Sequence, residues 1–470
     1  MPKKYHIHTE TAAPRFAPVG KYTTVEFREN CAGSCRACVK KRCVYDIFSE
    51  NMLHASTMSE PEYLYTCMSC FRCVQECTRG IFSRAVNPEY RTLGDAYWRS
   101  DTIHRLWYQA HTGKIPVSGA GYRGPFVGAG FDAMWTDMSE IVRPTRDGIH
   151  GREYINTSVE LTRRHTPLVF DDAGNLAVDA PAILEIPLPL VLQPATDLVV
   201  NTDVLSSMAR AARMLGTLML VSPGQWEPAL APFAPSLVPC LDSRCLEALD
   251  DRFAGCPAVA LTGLENHPEV LTDLRQRSPR LNLFAILPMD ADAAGNAEIL
   301  ARAGVDAIIF NGDHHGNQLG TDRPAFLKEM IRQIHLALVV AGLRERVNLL
   351  FSGGIAMAEH MAKAVICGAD AVVVDRPAMI AMECRLCGRC TQGLECPVAL
   401  DKPFDPVWGA QRIVNLMGAW HSQLLEVMGA MGIREARRLR GEVGRSMWFE
   451  DLEKDSFGPI FGQRRTQAIV

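Results

Sequence analysis

The stretch VNLLFSGGIAMAEHMAKAVICGADAVVVD, residues 347–375, contains the structural unit on which the fold is built. Two continuous apolar runs, 347–353 and 369–375, flank the segment 356–367, whose apolar residues recur at helical spacing. Continuous rather than alternating apolar runs are typical of parallel strands that are covered on both faces. The stretch therefore predicts a strand, a helix and a second, parallel strand.

The same unit recurs through the region 181–382, which contains eight such runs. The six earlier runs are LEIPLPLVL (184–192), GTLMLVS (216–222), SLVPCL (236–241), AVALTG (258–263), LNLFAIL (281–287) and DAIIFNG (306–312). Residues 323–343 are apolar at helical spacing and predict a helix before the seventh strand. Eight strand–helix units predict an α/β fold of the TIM (β/α)8 barrel type. An open, doubly wound sheet is the alternative, but it does not require eight strands.

Cysteine spacing is the second strong signal, because twelve of the 16 cysteines fall into three tight groups. Gaps of two and three residues allow one short loop to place four thiolates around a cuboidal iron–sulfur cluster. The pattern predicts three 4Fe–4S clusters and a role in electron transfer. The three groups are Cys31, Cys35, Cys38 and Cys43; Cys67, Cys70, Cys73 and Cys77; and Cys384, Cys387, Cys390 and Cys396.

Zinc and disulfides are the alternatives for these cysteines. Zinc sites also use C-x2-C pairs, but the second group has the compact ferredoxin spacing. Disulfides rarely persist in the cytoplasm, and the opening MPKKYHIHTE has no apolar or cleavage-like segment. We therefore expect a cytoplasmic iron–sulfur protein.

The first two groups resemble a two-cluster ferredoxin, in which the fourth cysteine of each run ligates the other cluster. The proline that often follows that cysteine is replaced by Val44 and Thr78. A metal-stapled module with only a structural role is the alternative. The two ligand sets would be Cys31, Cys35, Cys38 and Cys77, and Cys67, Cys70, Cys73 and Cys43.

Active sites of TIM barrels lie at the carboxyl ends of the strands, and phosphates bind after strands 7 and 8. The residues at these two strand ends predict a phosphate site, because glycines let backbone N–H groups approach an anion at a helix N-terminus. FMN is the phosphorylated cofactor expected beside iron–sulfur clusters, since it exchanges two electrons with a substrate and passes them on singly. The candidate cofactor-binding residues are Ser352, Gly353, Gly354, Ile355, Asp375 and Arg376.

Composition indicates an ordinary globular protein of two or three domains. Of 470 residues, 47% are hydrophobic and 22% are charged, and the formal net charge is −4. This charge gives no reason to expect a nucleic-acid or anionic membrane partner, and no apolar run reaches the length of a bilayer span. The predicted domains are an N-terminal tail (1–20), an α+β ferredoxin-like two-cluster domain (21–100), a connecting segment (101–180), the FMN-binding barrel (181–382), the third cluster loop (383–400) and a C-terminal helical extension (401–470).

The residues from about Asn311 to Arg445 resemble the FMN domain of the glutamate synthase family, particularly its short archaeal-type form with ferredoxin cysteines. The resemblance lies in NGDHHGNQLGTDRPAFL, in RERVNLLFSGGIAMAEHMAKAVICGADAVVVDRP, in the cysteine loop ending CPVAL and in MGIREARRLRGEVGR; HTGKIPVSGAGYRG (111–124) also matches. It implies FMN beside a 3Fe–4S cluster held by Cys384, Cys390 and Cys396. The additional Cys387 indicates a 4Fe–4S cluster instead.

Three features differ from the family pattern. Residues 221–227 replace the family's T-G-E-G-G loop after strand 2, residues 281–289 lack its strand-5 lysine, and position 2 lacks the cysteine nucleophile of a glutaminase domain. The cluster Asp313, His314 and His315 occupies the family's H-D-G-G position and provides candidate catalytic groups for proton transfer. Asp242 and Asp290 are expected to be helix caps. The remaining thiols, expected to be buried, are Cys240, Cys245, Cys256 and Cys367.

The C-terminal region predicts a helix over 404–440 and a basic segment at 434–445. The helix has an apolar stripe that we expect to pack on the barrel. The basic segment is either a solvated face or a docking site for an acidic partner. The stripe consists of Trp408, Ile413, Leu416, Met417, Trp420, Leu424 and Met428.

The sequence therefore predicts an iron–sulfur flavoprotein oxidoreductase that serves as an electron-transfer subunit of a hetero-oligomer. No G-x-G-x-x-G motif follows a predicted strand, as a nucleotide-binding fingerprint would, so the expected partner is an NAD(P)H- or FAD-dependent oxidoreductase or another redox subunit. Glutamate synthase activity, or that of a methylamine-using relative, on 2-oxoglutarate is one alternative. A non-catalytic electron conduit or scaffold is the other.

Overall fold

A computed structural model describes residues 5–16, 18–26, 35, 71–115, 128, 130–136, 155–163, 170–175, 183–243, 253, 255–264, 268–278 and 280–462. Its centre is a closed barrel of eight parallel strands. The strands are β1 (Leu190–Leu192), β2 (Met219–Val221), β3 (Leu237–Asp242), β4 (Ala258–Thr262), β5 (Asn282–Pro288), β6 (Ala307–Asn311), β7 (Asn348–Ser352) and β8 (Ala371–Val374).

The barrel closes between its first and last strands. Val372 of β8 lies opposite Leu190 of β1, and Val374 lies opposite Leu192. Most strand residues are buried, as expected of strands covered by side chains inside and by helices outside. Each of the eight predicted runs overlaps one of these strands, and none of the strands extends more than one residue beyond its run, so the predicted (β/α)8 barrel is confirmed.

Eight helices longer than one turn surround or extend this barrel within the described ranges. They are α1 (Ser100–Thr112), α2 (Thr202–Leu215), α3 (Val270–Arg277), α4 (Ala293–Ala303), α5 (Leu327–Val340), α6 (Ala358–Cys367), α7 (Arg376–Ala381) and α8 (Pro406–Met431). Helix α2 shows the local signals: the Asn201 side chain accepts the Val204 N–H at 2.9 Å, and Gly216 ends the helix with φ of 68°.

The connection from β2 to β3 contains 3₁₀ helices, Pro223–Gln225 and Pro228–Ser236. Pro232 and Pro235 lie inside the second one. Proline has no N–H to donate and its ring clashes with the preceding helical turn, so this segment is unsuited to a regular α-helix. It still covers the barrel, because Leu230 and Phe233 are buried.

The C-terminal helix α8 packs against α1, α2 and α6, and it holds residues 5–16 along its surface. The predicted stripe is buried apart from Trp408, which is half-buried. Arg412, also buried, donates to the carbonyls of Ala381 at 2.5 Å and Ala12 at 2.9 Å. The helix ends at Met431, and a short 3₁₀ helix, Ala436–Leu439, follows within the region predicted to be helical.

The N-terminal module has a two-stranded antiparallel sheet. Strand Tyr22–Glu26 precedes the first cysteine group, and strand Phe82–Val86 follows the second and pairs with it. The short helices Arg72–Gln75 and Pro88–Arg91 flank the second strand. This pairing brings together the two ends of the predicted ferredoxin-like region. Cys31, Cys38, Cys43, Cys67 and Cys70 lie outside the described residues.

Smaller elements join the remaining segments to the barrel. Strand Met134–Thr136 pairs with Ser446–Trp448, and Val159–Glu160 pairs with Glu185–Ile186. The described chain ends in the helical turns Phe449–Leu452, Glu453–Phe457 and Gly458–Phe461. None of the helices within the described ranges combines the length and the apolarity needed to span a bilayer.

Candidate functional site

The loop after β6 carries the predicted catalytic cluster, and Asp313 organises it. The Asp313 carboxylate accepts the N–H groups of His315 and Asn317, each at 2.8 Å, and the Asn317 side-chain amide at 3.0 Å. Its oxygens therefore stabilise a turn, as aspartate commonly does in loops. The two imidazoles remain as the candidate groups for proton transfer.

The loop after β7 contains the glycine pair predicted to bind phosphate. Gly353 and Gly354 have φ of 97° and 67°, in the left-handed region that favours glycine. A Cβ on Gly353 would lie 2.2 Å from the Asp313 carbonyl oxygen, and one on Gly354 would lie 2.6 Å from that of His315. The glycines therefore let the β7 loop lie directly on the β6 loop. Helix α6 begins at Ala358, a few residues beyond the glycines.

A segment from the N-terminal part of the chain, residues 93–98, joins these loops to the cysteine loop; we call it the strap. Gly94 donates its N–H to the Arg385 carbonyl at 3.1 Å. The Tyr97 hydroxyl donates to the Gly354 carbonyl, and the Trp98 indole N–H donates to the His314 carbonyl at 2.9 Å. The strap thus contacts the third cysteine loop and the loops after β6 and β7.

The strap also supplies a carboxylate to the catalytic face. Oδ2 of Asp95 lies 2.8 Å from Nε2 of His315, whose ring lies 3.9 Å, centroid to centroid, from that of His314. Although burial opposes it, the hydrogen bond from His315 lowers the pKa of Asp95 to about 2. The same hydrogen bond raises the pKa of His315, whereas burial, His315 and Arg376 lower the pKa of His314.

The corner after β8 holds a buried guanidinium. Arg376 is buried and donates from Nη2 to Oδ2 of Asp197, which lies in the loop after β1, at 2.5 Å. Burial raises the pKa of the neighbouring Asp375 carboxyl. Three buried polar atoms at strand ends have no hydrogen-bond partner among the described residues: Nε of Arg376, Oε1 of Gln193 after β1 and Oδ1 of Asn311 at the end of β6.

The third cysteine group forms a tight loop after β8 and α7. Glu383 and Leu386 have φ of 78° and 46°, an uncommon conformation for residues with a side chain. Gly388 and Gly393 are also left-handed. The four thiols lie close enough to interact electrostatically, and burial raises the pKa of Cys384 to about 12. Such strained loops persist only where the surrounding structure holds them.

The N-terminal tail provides that support. The Glu383 carboxylate accepts the Arg15 N–H at 2.6 Å, and the Arg15 guanidinium donates to the Val398 carbonyl at 2.9 Å. Phe404 and Trp408 lie beneath the same guanidinium, at 4.7 and 4.5 Å from ring centroid to Cζ. The cysteine loop is therefore held between the barrel, the tail and the start of α8.

Three cysteines of the first two groups are described: Cys35, Cys73 and Cys77, all half-buried. Phe71, between Cys70 and Cys73, has φ of 58° and therefore the same left-handed backbone as Leu386 in the third loop. Cys73 and Cys77 pack against Ile81 and Phe82.

Other predicted residues have local roles. The Asp290 carboxylate accepts the Asp292 N–H at 3.0 Å in the turn before α4, whereas the N-cap position itself is occupied by Asp292. Burial raises the pKa of Cys240 and Cys367 to about 12 and of Cys256 to about 11, as expected of inert thiols. Residues 221–227 form a capped 3₁₀ turn in place of a glycine-rich loop.

Asp95, Tyr97 and Trp98 were not predicted from the sequence. They carry no motif spacing, and their segment joins the barrel only through long-range contacts. The one available signal was their composition, since two aromatic residues and an aspartate follow shortly after the second cysteine group. Composition alone does not show where in the fold these side chains lie.

The fold and the site together define a (β/α)8-barrel protein with a cysteine loop at the carboxyl end of its last strand. The model of the conserved region in glutamate synthase matches residues 259–434, from β4 to the end of the extension helix. This region is therefore similar to the glutamate synthase family, and the resemblance predicted from the sequence is confirmed.

The similarity to individual proteins extends beyond this region. The archaeal glutamate synthase [NADPH] of Archaeoglobus fulgidus is 25% identical over 92% of this chain and 96% of its own length. The archaeal-type glutamate synthase [NADPH] of Dehalococcoides mccartyi is 24% identical over 80% and 85%. The glutamate synthase [NADPH] large chain of Azospirillum brasilense is 25% identical over 38% of this chain but only 12% of its own length.

Proposed function

We propose that this chain is an iron–sulfur flavoprotein oxidoreductase that passes electrons between ferredoxin-type clusters and FMN in the barrel. The observation that carries the proposal is the strap, since one short segment following the second cysteine group contacts both the third cysteine loop and the loops after β6 and β7. Close spacing of redox centres suits transfer of single electrons between them. The similarity to glutamate synthases supports redox chemistry of that type.

The residues at the strand ends fit a polar, phosphorylated cofactor. The unpaired Nε of Arg376 and the left-handed glycines after β7 would hold the phosphate, and the side chains of Gln193 and Asn311 would meet polar ring atoms. Burial raises the pKa of Asp375, which weakens repulsion between its carboxyl and a neighbouring anion. When bound, FMN supplies exchange between two-electron and one-electron chemistry.

The cysteine loop would hold the third cluster through Cys384, Cys387, Cys390 and Cys396. Four thiolates provide one ligand for each iron of a 4Fe–4S cluster. Backbone N–H groups turned inward by a left-handed backbone stabilise the charge on cluster and thiolate sulfurs. The Leu386 N–H donates to the Cys384 thiol in this way.

His314 and His315 would serve proton transfer at the barrel mouth. Two imidazoles with pKa values moved in opposite directions provide one group that readily holds a proton and one that readily stays neutral. Asp313 would position His315 through its backbone N–H rather than exchange protons itself.

Glutamate synthesis from 2-oxoglutarate is the second candidate function, favoured by the names of the similar proteins. The 3₁₀ turn at 223–225 and the absence of lysine from 281–289 distinguish this barrel from the pattern expected of that activity. An NAD(P)H- or FAD-dependent subunit would supply the electrons in either case. Reoxidation of the reduced protein by 2-oxoglutarate in the presence of ammonia separates the two functions.

Cofactor analysis of the anaerobically purified protein tests the main proposal. Three 4Fe–4S clusters and one flavin predict about twelve irons, about twelve acid-labile sulfides and about one FMN per chain. The same iron content without flavin would leave an electron conduit or scaffold. Zinc in place of iron would refute the proposed function.

A further inference from the structure

We propose that Asp95, His314 and His315 form a binding site for one divalent transition-metal ion at the mouth of the barrel. Their ligand atoms, a carboxylate oxygen and two imidazole nitrogens, all lie within 4.8 Å of one another. They come from two segments, the strap and the β6 loop. Across the described part of the chain, this is the one group of three such side chains that meets this distance criterion.

The ligands are held by neighbours in the manner of a built metal site. Oδ1 of Asp95 accepts the N–H groups of Tyr97 at 2.8 Å and Trp98 at 2.7 Å, so the other oxygen, Oδ2, faces His315. Hydrogen bonds of this kind, which orient ligating carboxylates, are a regular feature of protein metal sites.

The backbones of both histidines are held by hydrogen bonds, and the His315 ring also contacts Asp95 through Nε2. The His314 carbonyl accepts the Trp98 indole N–H at 2.9 Å, and the Asp313 carboxylate accepts the His315 N–H at 2.8 Å. The rings are tilted at 53° to each other with centroids 3.9 Å apart, so both lie on the same side of the loop. Ring nitrogens therefore remain available as ligands.

The local charge favours a cation. The carboxylates of Asp95, Asp313 and Asp197 act on the two imidazoles, and so does the guanidinium of Arg376. Arg376 is itself paired with Asp197 at 2.5 Å. Two carboxylates therefore remain to balance a bound divalent ion.

The ligand set defines the class of metal. Two histidines and one carboxylate suit ions such as Mn²⁺, Fe²⁺ and Zn²⁺, and they leave coordination positions open for water or substrate. The site is distinct from the thiolate cluster sites in its ligands. It goes beyond the proposed function, because a metal-bound water would take over the proton transfer assigned above to the imidazoles.

Titration of the anaerobic, cluster-replete chain with Mn²⁺ tests the proposal, with free Mn²⁺ measured by electron paramagnetic resonance. Mn²⁺ is the weakest competitor among the first-row ions, so it leaves cluster iron in place. The variants are Asp95→Asn, which keeps an acceptor for the strap, and His314→Gln, which keeps the backbone carbonyl used by Trp98. His8→Gln is the control, because His8 belongs to an exposed histidine–carboxylate pair elsewhere, 3.0 Å from Glu10.

The expected result is saturable binding of about one Mn²⁺ per chain, weakened at least about tenfold by each ligand variant and unchanged by the control. Absence of saturable binding, or equal binding by the parent and both ligand variants, would overturn the proposal and leave an ion pair between Asp95 and His315. Iron and flavin measured in the same samples keep the two proposals separate. Full cofactor content without Mn²⁺ binding counts against this site alone, and Mn²⁺ binding without clusters counts against the proposed function alone.

Discussion

The substitution Asp370→Asn tests what holds the last barrel strand in place. Asp370 immediately precedes β8 and is buried. Its carboxylate accepts the Leu349 N–H at 2.8 Å, Arg344 Nη2 at 2.7 Å and Arg440 Nη1 at 2.6 Å. It therefore links β7, the turn before β7 and the C-terminal basic segment at one point.

The expected loss of stability depends on the hydrogen bonds that Arg344 and Arg440 retain in the variant. Breaking a buried ion pair by removing one partner costs about 3–5 kcal/mol. Arg344 still donates hydrogen bonds to the carbonyls of Val347 and Gly368, and Arg440 still donates one to the Glu345 carboxylate. We therefore expect the lower end, about 3 kcal/mol, which corresponds to roughly a 100-fold faster unfolding if the contact is absent from the transition state for folding.

Unfolding rates are the suitable assay, because loss of the proposed iron–sulfur clusters would make unfolding irreversible, so that no equilibrium free energy of unfolding could be measured. The rate at a fixed temperature would be followed by far-ultraviolet circular dichroism. Glu298→Gln is the matched control, since Glu298 pairs with Arg302 at 2.6 Å on the surface and such pairs contribute less than about 0.5 kcal/mol. Equal unfolding rates for Asp370→Asn and the parent would refute the reasoning.

The difference in unfolding rate between Asp370→Asn and the parent should depend on pH in a defined direction. Burial by itself raises the pKa of Asp370, but Arg344 and Arg440 outweigh it and hold the pKa below its usual value. A lowered folded pKa contributes stability above the unfolded value of about 3.9, and that stability is lost as the pH falls through the folded value. The difference in unfolding rate between the variant and the parent should therefore narrow below about pH 4.

Three further substitutions test the site. Gly353→Ala would place Cβ 2.2 Å from the Asp313 carbonyl oxygen at a φ of 97°, so we expect destabilisation of at least about 2 kcal/mol in thermal unfolding. Trp98→Phe removes the hydrogen bond to the His314 carbonyl; loss of one such hydrogen bond costs about 0.5–1.5 kcal/mol, and hydrogen exchange in the β6 loop should accelerate. Cys387→Ala should lower the iron content by about one per chain, because a 3Fe–4S cluster needs only three thiolates.

Matched changes elsewhere serve as controls for these three. Gly224→Ala places Cβ in open space at an ordinary φ, so thermal unfolding should not change. Trp107→Phe removes an indole nitrogen that has no hydrogen-bond partner among the described residues, and the β6 loop should exchange as before. Cys256→Ala removes a thiol outside the three groups. Equal effects of a control and its test variant would contradict the corresponding prediction.

The barrel could be predicted because its signals are local. Each strand is a short apolar run and each predicted helix has its own periodicity, as in residues 347–375. The local structure of residues 223–236 was harder to predict, since proline-rich segments permit several kinds of compact turn. The cysteine groups were recognised for the same local reason, because a cluster sets the spacing of its ligands; their role as ligands stays a prediction.

The contacts of the strap and the ion pairs of Asp370 could not be predicted in this way. Asp95 and His315 are 220 residues apart, and Arg440 and Asp370 are 70 apart. No spacing rule relates such pairs before the topology is known. Asp313 shows a different limit of sequence-based prediction. Its position in the sequence indicated a role in proton transfer, but its carboxylate accepts backbone N–H groups and so stabilises the turn.

The contact between the tail and α8 has a consequence for how the protein is made. Asn415 exchanges hydrogen bonds with the backbone of Glu10, 405 residues earlier, and Arg412 reaches Ala12 across 400 residues. Both partners are present only after the ribosome has synthesised most of the chain. Because Arg15 in the same tail holds the third cysteine loop, that loop reaches its final shape late, and insertion of the proposed cluster is expected to be a post-translational step.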